Sequence, residues 1–366
     1  MAILSVVQLF SISISGDVLE LELGQKTRPS VLPVIAAAVI FPVTVILWVL
    51  NHYGGVIESG EGDWEDEGRY SGASPSRWFA SVAIPVILTI HGLKKKSLNT
   101  SGAALALAVG FFHTLSSYCF LMLLMVFFLS SSKATKFRAK KKRLFEEDFK
   151  EGGQRNWIQV FCNGGMATQL AVIYIWDVGF GQRPIAFQSD YRASFLGVGI
   201  LGALSCANGD TWASEIGSVV PTTLPRLITT WRHVPAGTNG AVTLGGLVVS
   251  FLGGLVLGIT YYLTILFGVD YVILTNSPPQ WPIIVIGGIG GLLGSAIDSF
   301  LGATLQYSGS DPQGKIREVP GENIKHISGI SFLDNHSVNL ISTILTGLIL
   351  PKIALSLWPT LVESLG

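Results

Sequence analysis

Thirty consecutive residues, Ser101 to Ser130, contain no Asp, Glu, Lys or Arg, and that run limits what the chain can become. A water-soluble fold has little use for so long an apolar stretch, whereas a bilayer takes about twenty such residues per helical crossing. Further apolar runs follow the same rule at Val31 to Leu50, Trp78 to His91, Trp157 to Trp176, Ser194 to Ala207, Asn239 to Gly268, Trp281 to Gln306 and Val338 to Trp358. Composition agrees, with 49% apolar residues, 13% charged residues and a mean hydropathy of +0.52. The expected fold class is therefore all-α: a polytopic transmembrane helix bundle of about nine segments, some of them short or re-entrant.

Thirty residues exceed one untilted crossing, so Ser101 to Ser130 reads as a hairpin turning near Gly110 to Thr114. Charge supports the hairpin. Lys94, Lys95 and Lys96 precede the run, and nine basic residues from Lys133 to Arg155 follow it. Short loops rich in Lys and Arg stay on the cytoplasmic side, which brings both flanks to one face. Threading the chain this way puts the N-terminus and the loops at 92–100, 131–156, 208–238 and 307–337 on that face, together with nineteen of the 24 Lys and Arg. Residues 1–30 form an unassigned N-terminal segment, and 31–360 read as a single polytopic domain. An acidic loop at 51–77 and a basic cytoplasmic loop at 131–156 interrupt it. The first fifteen residues lack the charged start and small-residue cleavage site of a leader, and the endoplasmic reticulum is the expected membrane.

Zero net charge gives no reason to expect a nucleic-acid partner. Cys119, Cys162 and Cys206 have neither disulfide nor metal-ligand spacing and read as packing residues. The six histidines show no paired ligand spacing either.

Chemistry concentrates elsewhere. Ser205 to Ser218 reads S-C-A-N-G-D-T-W-A-S-E-I-G-S, with carboxylates at Asp210 and Glu215 among small residues. Asn208 to Asp210 is expected in a turn, with Thr211 starting a helix. Asp210, Glu215, the Asn208 amide and the Thr211 hydroxyl are hard oxygen ligands of the kind magnesium takes. The alternative is that Asp210 only caps that helix.

Asp298 is an acid inside the glycine-dense span G-G-I-G-G-L-L-G-S-A-I-D-S-F-L-G-A-T. A charge at that depth is costly unless paired or wet, so it reads as a ligand or pathway residue, with a helix–helix hydrogen bond as the alternative. Gly254, Gly258, Gly290 and Gly294 fit close packing of small residues between helices. Asp334, Asn335 and Asn339, where the last span begins, are candidates for the same polar cluster as Gly152 to Asn156 and Asn163 to Gly165, although capping also explains Asp334.

Arg226 and Arg232 precede Gly237-Thr238-Asn239-Gly240. Glycine-rich backbone at a helix start favours phosphate, and two guanidiniums would add charge-assisted bonds. An N-cap by Thr238 or Asn239 is the plainer reading of the same residues. No G-x-x-x-x-G-K-[ST] is present, which excludes P-loop chemistry.

These motifs, namely L-K-K-K-S-L-N-T-S-G-A (Leu93 to Ala103), E-G-G-Q-R-N-W-I-Q-V-F-C-N-G (Glu151 to Gly164), G-D-T-W-A-S-E-I-G (Gly209 to Gly217), P-R-L-I-T-T-W with V-P-A-G-T-N-G (Pro225 to Gly240) and D-S-F-L-G-A-T (Asp298 to Thr304), resemble the transmembrane protein 19 family. The resemblance runs from roughly Trp78 to Trp358 and is nearest the animal branch. It places the chain in an integral membrane family of unknown function, one plant branch of which is associated with phosphorylating phytyl monophosphate. By that resemblance the expected function is a prenyl monophosphate kinase. It would use a nucleoside triphosphate such as CTP, with magnesium, against a lipid bilayer. Asp210, Glu215 and Asp298 would be catalytic and metal-holding together with Asn208, while Arg226, Arg232, Gly237 to Gly240, Arg155 and Lys95 would hold phosphates. A transporter using Asp298 as an ion or proton site, and a non-catalytic membrane regulator, are the alternatives from other classes.

Overall fold

A computed structural model describes residues 73–136, 154–217 and 224–365. Nine helices dominate the described residues: α1 (Pro75–Lys94), α2 (Thr100–Ser116), α3 (Tyr118–Lys136), α4 (Trp157–Asp177), α5 (Tyr191–Glu215), α6 (Leu244–Gly268), α7 (Tyr271–Thr275), α8 (Pro282–Leu305) and α9 (Asn335–Leu365). Short strands decorate the loops. β1 (Arg226–Leu227) pairs antiparallel with β2 (Ala241–Val242), and β3 (Ser308–Ser310) lies between β4 (Ile316–Arg317) and β5 (Lys325–Ser328).

Six helices, α1, α3, α4, α6, α8 and α9, are long and apolar enough to cross a membrane. α2 is apolar but only 17 residues long. The expected count of nine segments is thus not reproduced among the described residues, and Val31 to Leu50, with the acidic loop 51–77 up to residue 72, lies outside them. α5 explains part of the difference. It is 25 residues long but too rich in glycine and polar side chains to read as a lipid-facing span. It does not need to, because it packs against α3, α4, α6, α8 and α9 and so meets protein instead of lipid. Val198, Ile200, Leu201, Ala203 and Leu204 on it are fully buried. The outer surface is the apolar one, with Phe79 75%, Ile87 65% and Phe267 86% exposed, as a bilayer solvent requires.

Local sequence explains where helices start. Ser74 caps α1, accepting from Arg77 N at 3.3 Å ahead of Pro75. Asn99 caps α2, and Asn156 with Gln159 forms a reciprocal capping box at α4. The hairpin is present, but it turns at Ser117, three residues beyond the expected stretch. Gly110 stays helical because it is the close contact with α1: a Cβ there would sit 2.8 Å from Pro85 Cβ. Ser116 and Ser117 make the break, Ser116 Oγ donating back to Phe112 O at 2.7 Å while Ser117 is extended.

Glycine contacts set the packing of the central helices, as the small-residue spacing predicts. A Cβ on Gly254 of α6 would lie 2.1 Å from Gly287 O of α8, and one on Gly294 of α8 would lie 2.4 Å from Cys206 Cβ of α5. All three cysteines are free and buried, in keeping with a packing role.

Candidate functional site

Alternating helix directions bring one set of termini together. The ends of α1, α3, α5 and α8 and the starts of α2, α4, α6 and α9 share one end of the bundle, tied there by direct bonds. Arg155 N donates to Ser97 O at 3.0 Å and Asn99 N to Arg155 O at 3.1 Å, joining the α1–α2 turn to the start of α4. Lys136 Nζ at the end of α3 donates to Lys95 O at 2.7 Å. The polar motifs therefore gather on one face, as threading by charge requires.

Asp210 sits on an uninterrupted helix. α5 runs through Glu215, so the expected turn at Asn208 to Asp210 is absent and Asp210 caps nothing. The reason is packing: Gly209 lies where a Cβ would be 2.8 Å from Gly291 Cα of α8 and 2.9 Å from Ser250 O of α6, which holds this stretch helical and tight. Five residues on one helix place Asp210 and Glu215 about 140° apart, yet Glu215 still acts electrostatically on Asp210. Asp210 and Asp298 feel each other's charge across α5 and α8. Glu215 acts on Arg155.

The glycine stripe thus builds the acid pair. Gly291 and Gly294 of α8 pack on Gly209 and Cys206 of α5, and Asp298 follows one turn later. α9 supplies the surroundings of Asp298. Ser342 Oγ donates to its Oδ2 at 3.2 Å, and Asn339, with its amide turned so that both ends find partners, donates to the same oxygen at 3.1 Å. Asn339 thus meets Asp298 and not the described part of the Gly152 to Asn156 and Asn163 to Gly165 stretches it was expected to join, Asn163 bonding within its own helix to Gln159 O, and Asp334 caps α9 by accepting from Ser337 N at 2.9 Å.

Asn208, expected as a metal ligand, makes helix-tying bonds here. Its Oδ1 accepts from Ser130 Oγ at 2.9 Å and its Nδ2 donates to Gly253 O at 2.8 Å, fastening α3 and α6 to α5. Thr211 Oγ1 donates to Ala207 O at 2.8 Å, an intrahelical bond. Among the described residues no group of three or more His, Cys, Asp or Glu is placed to hold a metal.

The cationic side is Arg155. Its Nη1 donates to Ser132 Oγ at 2.9 Å and its Nη2 to Ser131 Oγ at 3.1 Å. Burial lowers its guanidinium to about 10 while Glu215 opposes the change, so it stays a cation at neutral pH. Lys95 is exposed beside it on the α1–α2 turn.

The Gly237–Gly240 loop does not begin a helix. α6 starts at Leu244 and is capped by Thr243, which accepts from Gly246 N at 3.0 Å, so neither Thr238 nor Asn239 is its cap. Asn239 N donates to Ser308 Oγ at 2.9 Å and its Nδ2 to Tyr307 O at 3.1 Å. Thr238 N and Ala241 N are spent within the turn. Gly240, at φ +76°, lies against α8, where a Cβ would meet Ser299 O at 2.4 Å. The loop is thus packed next to Asp298. Arg226 and Arg232 are exposed on the ribbon leading to it, with Arg226 Nη1 donating to Trp231 O at 3.0 Å.

Sequence reasoning missed Ser130, Ser131, Ser132 and Ser342. The three-serine run closing an otherwise apolar span was the available signal. Ser342, one turn after Asn339, had none beyond helical spacing.

Residues 83–347 match the family described as Integral membrane protein DUF92. The chain belongs to that family. DUF92 membership covers Arg155, Asp210, Glu215, Asp298 and Ser342 alike. Protein PGR of Arabidopsis thaliana is 40% identical over 274 residues, 74% of this chain and 93% of PGR. An uncharacterised membrane protein of Methanocaldococcus jannaschii is 28% identical over 276 residues, 75% of this chain and 92% of its own. Protein VTE6, chloroplastic, of Arabidopsis thaliana is 30% identical over 189 residues, 49% and 53% respectively. No solved structure matches the chain.

Proposed function

We propose that this DUF92 protein is a membrane-embedded prenyl monophosphate kinase, moving the terminal phosphate of a nucleoside triphosphate onto a lipid monophosphate. The observation that carries the reading is the Asp210–Asp298 carboxyl pair, brought together where the small residues of α5 and α8 pack, with Arg155 on the same end of the bundle. The plant branch of the family it resembles, with phytyl monophosphate as substrate, supports the lipid class.

Two facing carboxylates suit magnesium, which takes one or two protein carboxylates and completes its shell with water and phosphate oxygens. Asp210 and Asp298 would hold it. Its contribution would be to neutralise charge on the triphosphate. Ser342 and Asn339 fix the Asp298 carboxylate, and Glu215 faces Arg155, orienting a cation for a phosphate. Phosphoryl transfer needs mainly positioning and charge neutralisation. An oxygen of the lipid monophosphate bonds to the terminal phosphorus, the bond to the bridging oxygen breaks, and nucleoside diphosphate leaves. The monoester is already an anionic nucleophile, so no side chain has to remove a proton.

The test incubates purified, folded protein with magnesium, terminally labelled CTP or ATP and prenyl monophosphates of several lengths. Label recovered in a prenyl diphosphate is expected. Folded protein that transfers no label but moves protons or ions across liposomes through Asp298 would replace the kinase by a transporter.

A further inference from the structure

We infer that the cleft between α1, α2, α3 and α4 is the seat of a single-chain isoprenoid monophosphate, tail inward and phosphate at Arg155; this rests on the kinase reading. The walls are apolar, with Leu88 from α1, Val109 from α2, Leu124 and Phe128 from α3 and Val160 from α4. Thr89, Gln159 and Asn163 also line it, and Arg155 lines its loop end beside the start of α4. An apolar slot with Arg155 at its loop end suits a ligand with one apolar chain and one anionic head.

The charge at the mouth selects phosphate. Arg155 presents a planar guanidinium that suits a phosphate's oxygens, Ser131 and Ser132 stand on it, and Lys94, Lys95, Lys96, Lys133 and Lys136 lie at the helix ends around it. The mouth is also next to the acid pair. Ser130, adjacent to the serines that hold Arg155, donates to Asn208, two residues before Asp210. Glu215 of α5, which acts on both Arg155 and Asp210, links the mouth to the transfer site.

Access comes from the bilayer. Among the described residues α1 packs chiefly on α2, while Val86, Ile87 and Ile90 on it are exposed. A tail can thus pass α1 without crossing water, whereas a water-soluble phosphate has no use for the slot.

The experiment uses the full chain in nanodiscs and radiolabelled geranylgeranyl monophosphate, with geranylgeraniol and inorganic phosphate as competitors. The monophosphate is expected to bind at least about tenfold more tightly than the alcohol, and Arg155→Ala to erase the difference while Arg155→Lys restores part of it. Filling the slot with Ala106→Trp or, as a gentler second variant, Val160→Phe is expected to weaken binding of the twenty-carbon ligand and spare a five-carbon one. A diazirine at the far end of the tail should label α2 and α3 peptides. Labelling confined to other helices, unchanged long-chain affinity in either folded variant, no binding by folded wild type, or a co-purified phospholipid that the monophosphate fails to displace would each overturn the inference. The kinase reading fails separately, if a ligand mapped to the slot is never phosphorylated. Conversely, a slot-filled protein that phosphorylates the long substrate at the wild-type rate sinks the slot and keeps the kinase.

Discussion

The two ends of the bundle differ in how they hold their acids. At the end away from the site, charges cancel locally. Arg183 Nη1 meets Asp190 Oδ2 at 3.2 Å, Arg192 Nη1 meets Asp177 Oδ1 at 2.8 Å, and Arg77 lies 4.3 Å from the centre of the Tyr118 ring with Nη2 donating to Gln182. Gln280 spans the same end, donating to Ile185 O and accepting from Ile185 N. At the loop end two carboxyl groups, Asp210 and Asp298, are brought near each other where Gly209 packs on Gly291 and Cys206 on Gly294. Locally cancelled charge holds helices in place, whereas neighbouring acids inside a packed bundle are candidates for a functional site.

The contrast can be broken most sharply with matched carboxylate-to-amide changes. Asp298→Asn should lower phosphoryl transfer by about a hundredfold or more, whereas Asp190→Asn, a cap and ion-pair change at the far end, should leave it within about twofold. Equal losses from the two, in proteins of equal fold content, would erase the distinction between the ends.

Packing gives the next effect. Gly254→Leu must push α6 off α8, because even a Cβ falls 2.1 Å from Gly287 O, and should cost about 3 kcal/mol in a reversible unfolding measurement in detergent. Asn208→Ala removes the tie to Ser130 and Gly253 and should cost about 1–2 kcal/mol, with a smaller loss of transfer than either acid change gives. A larger loss of transfer than Asp298→Asn would return Asn208 to the role of metal ligand.

The smallest effect lies in the β3–β4 hairpin. Partial burial of Asp311 opposes its ionisation, but the Lys315 N–H, the Arg317 guanidinium and the Gln313 N–H outweigh it and hold its carboxyl below the usual carboxylate range. With a folded value below the unfolded one, its stabilisation is complete above the unfolded value and fades as pH falls through the folded one. Amide exchange in 308–317 should therefore rise only below about pH 4, and Asp311→Asn should remove that step.

Much of this was legible in the sequence, and the exceptions share a cause. Apolar runs located the lipid-facing helices because bilayer contact demands apolar length, and the glycine spacing in α6 and α8 announced their contact. α5 misled for the converse reason. Its Asn208 to Asp210 stretch looks like a turn when no neighbours are known, yet Gly209 is what lets α6 and α8 approach a continuous helix. Likewise the Gly237–Gly240 loop resembles a helix start, but Gly240 is there because α8 leaves no room for a Cβ. Gly110 looked like a turn and is a seat for Pro85. The candidate acids were legible as unusual residues; that Asp210 neighbours both Asp298 and Glu215, and that Glu215 also acts on Arg155, required the helix packing.

The most direct measurement is transfer of labelled terminal phosphate to geranylgeranyl monophosphate by wild-type and Asp210→Asn protein, side by side in the same nanodiscs with magnesium. The account predicts labelled diphosphate from the wild type and essentially none from the variant at equal fold content. Undiminished transfer by Asp210→Asn would contradict it.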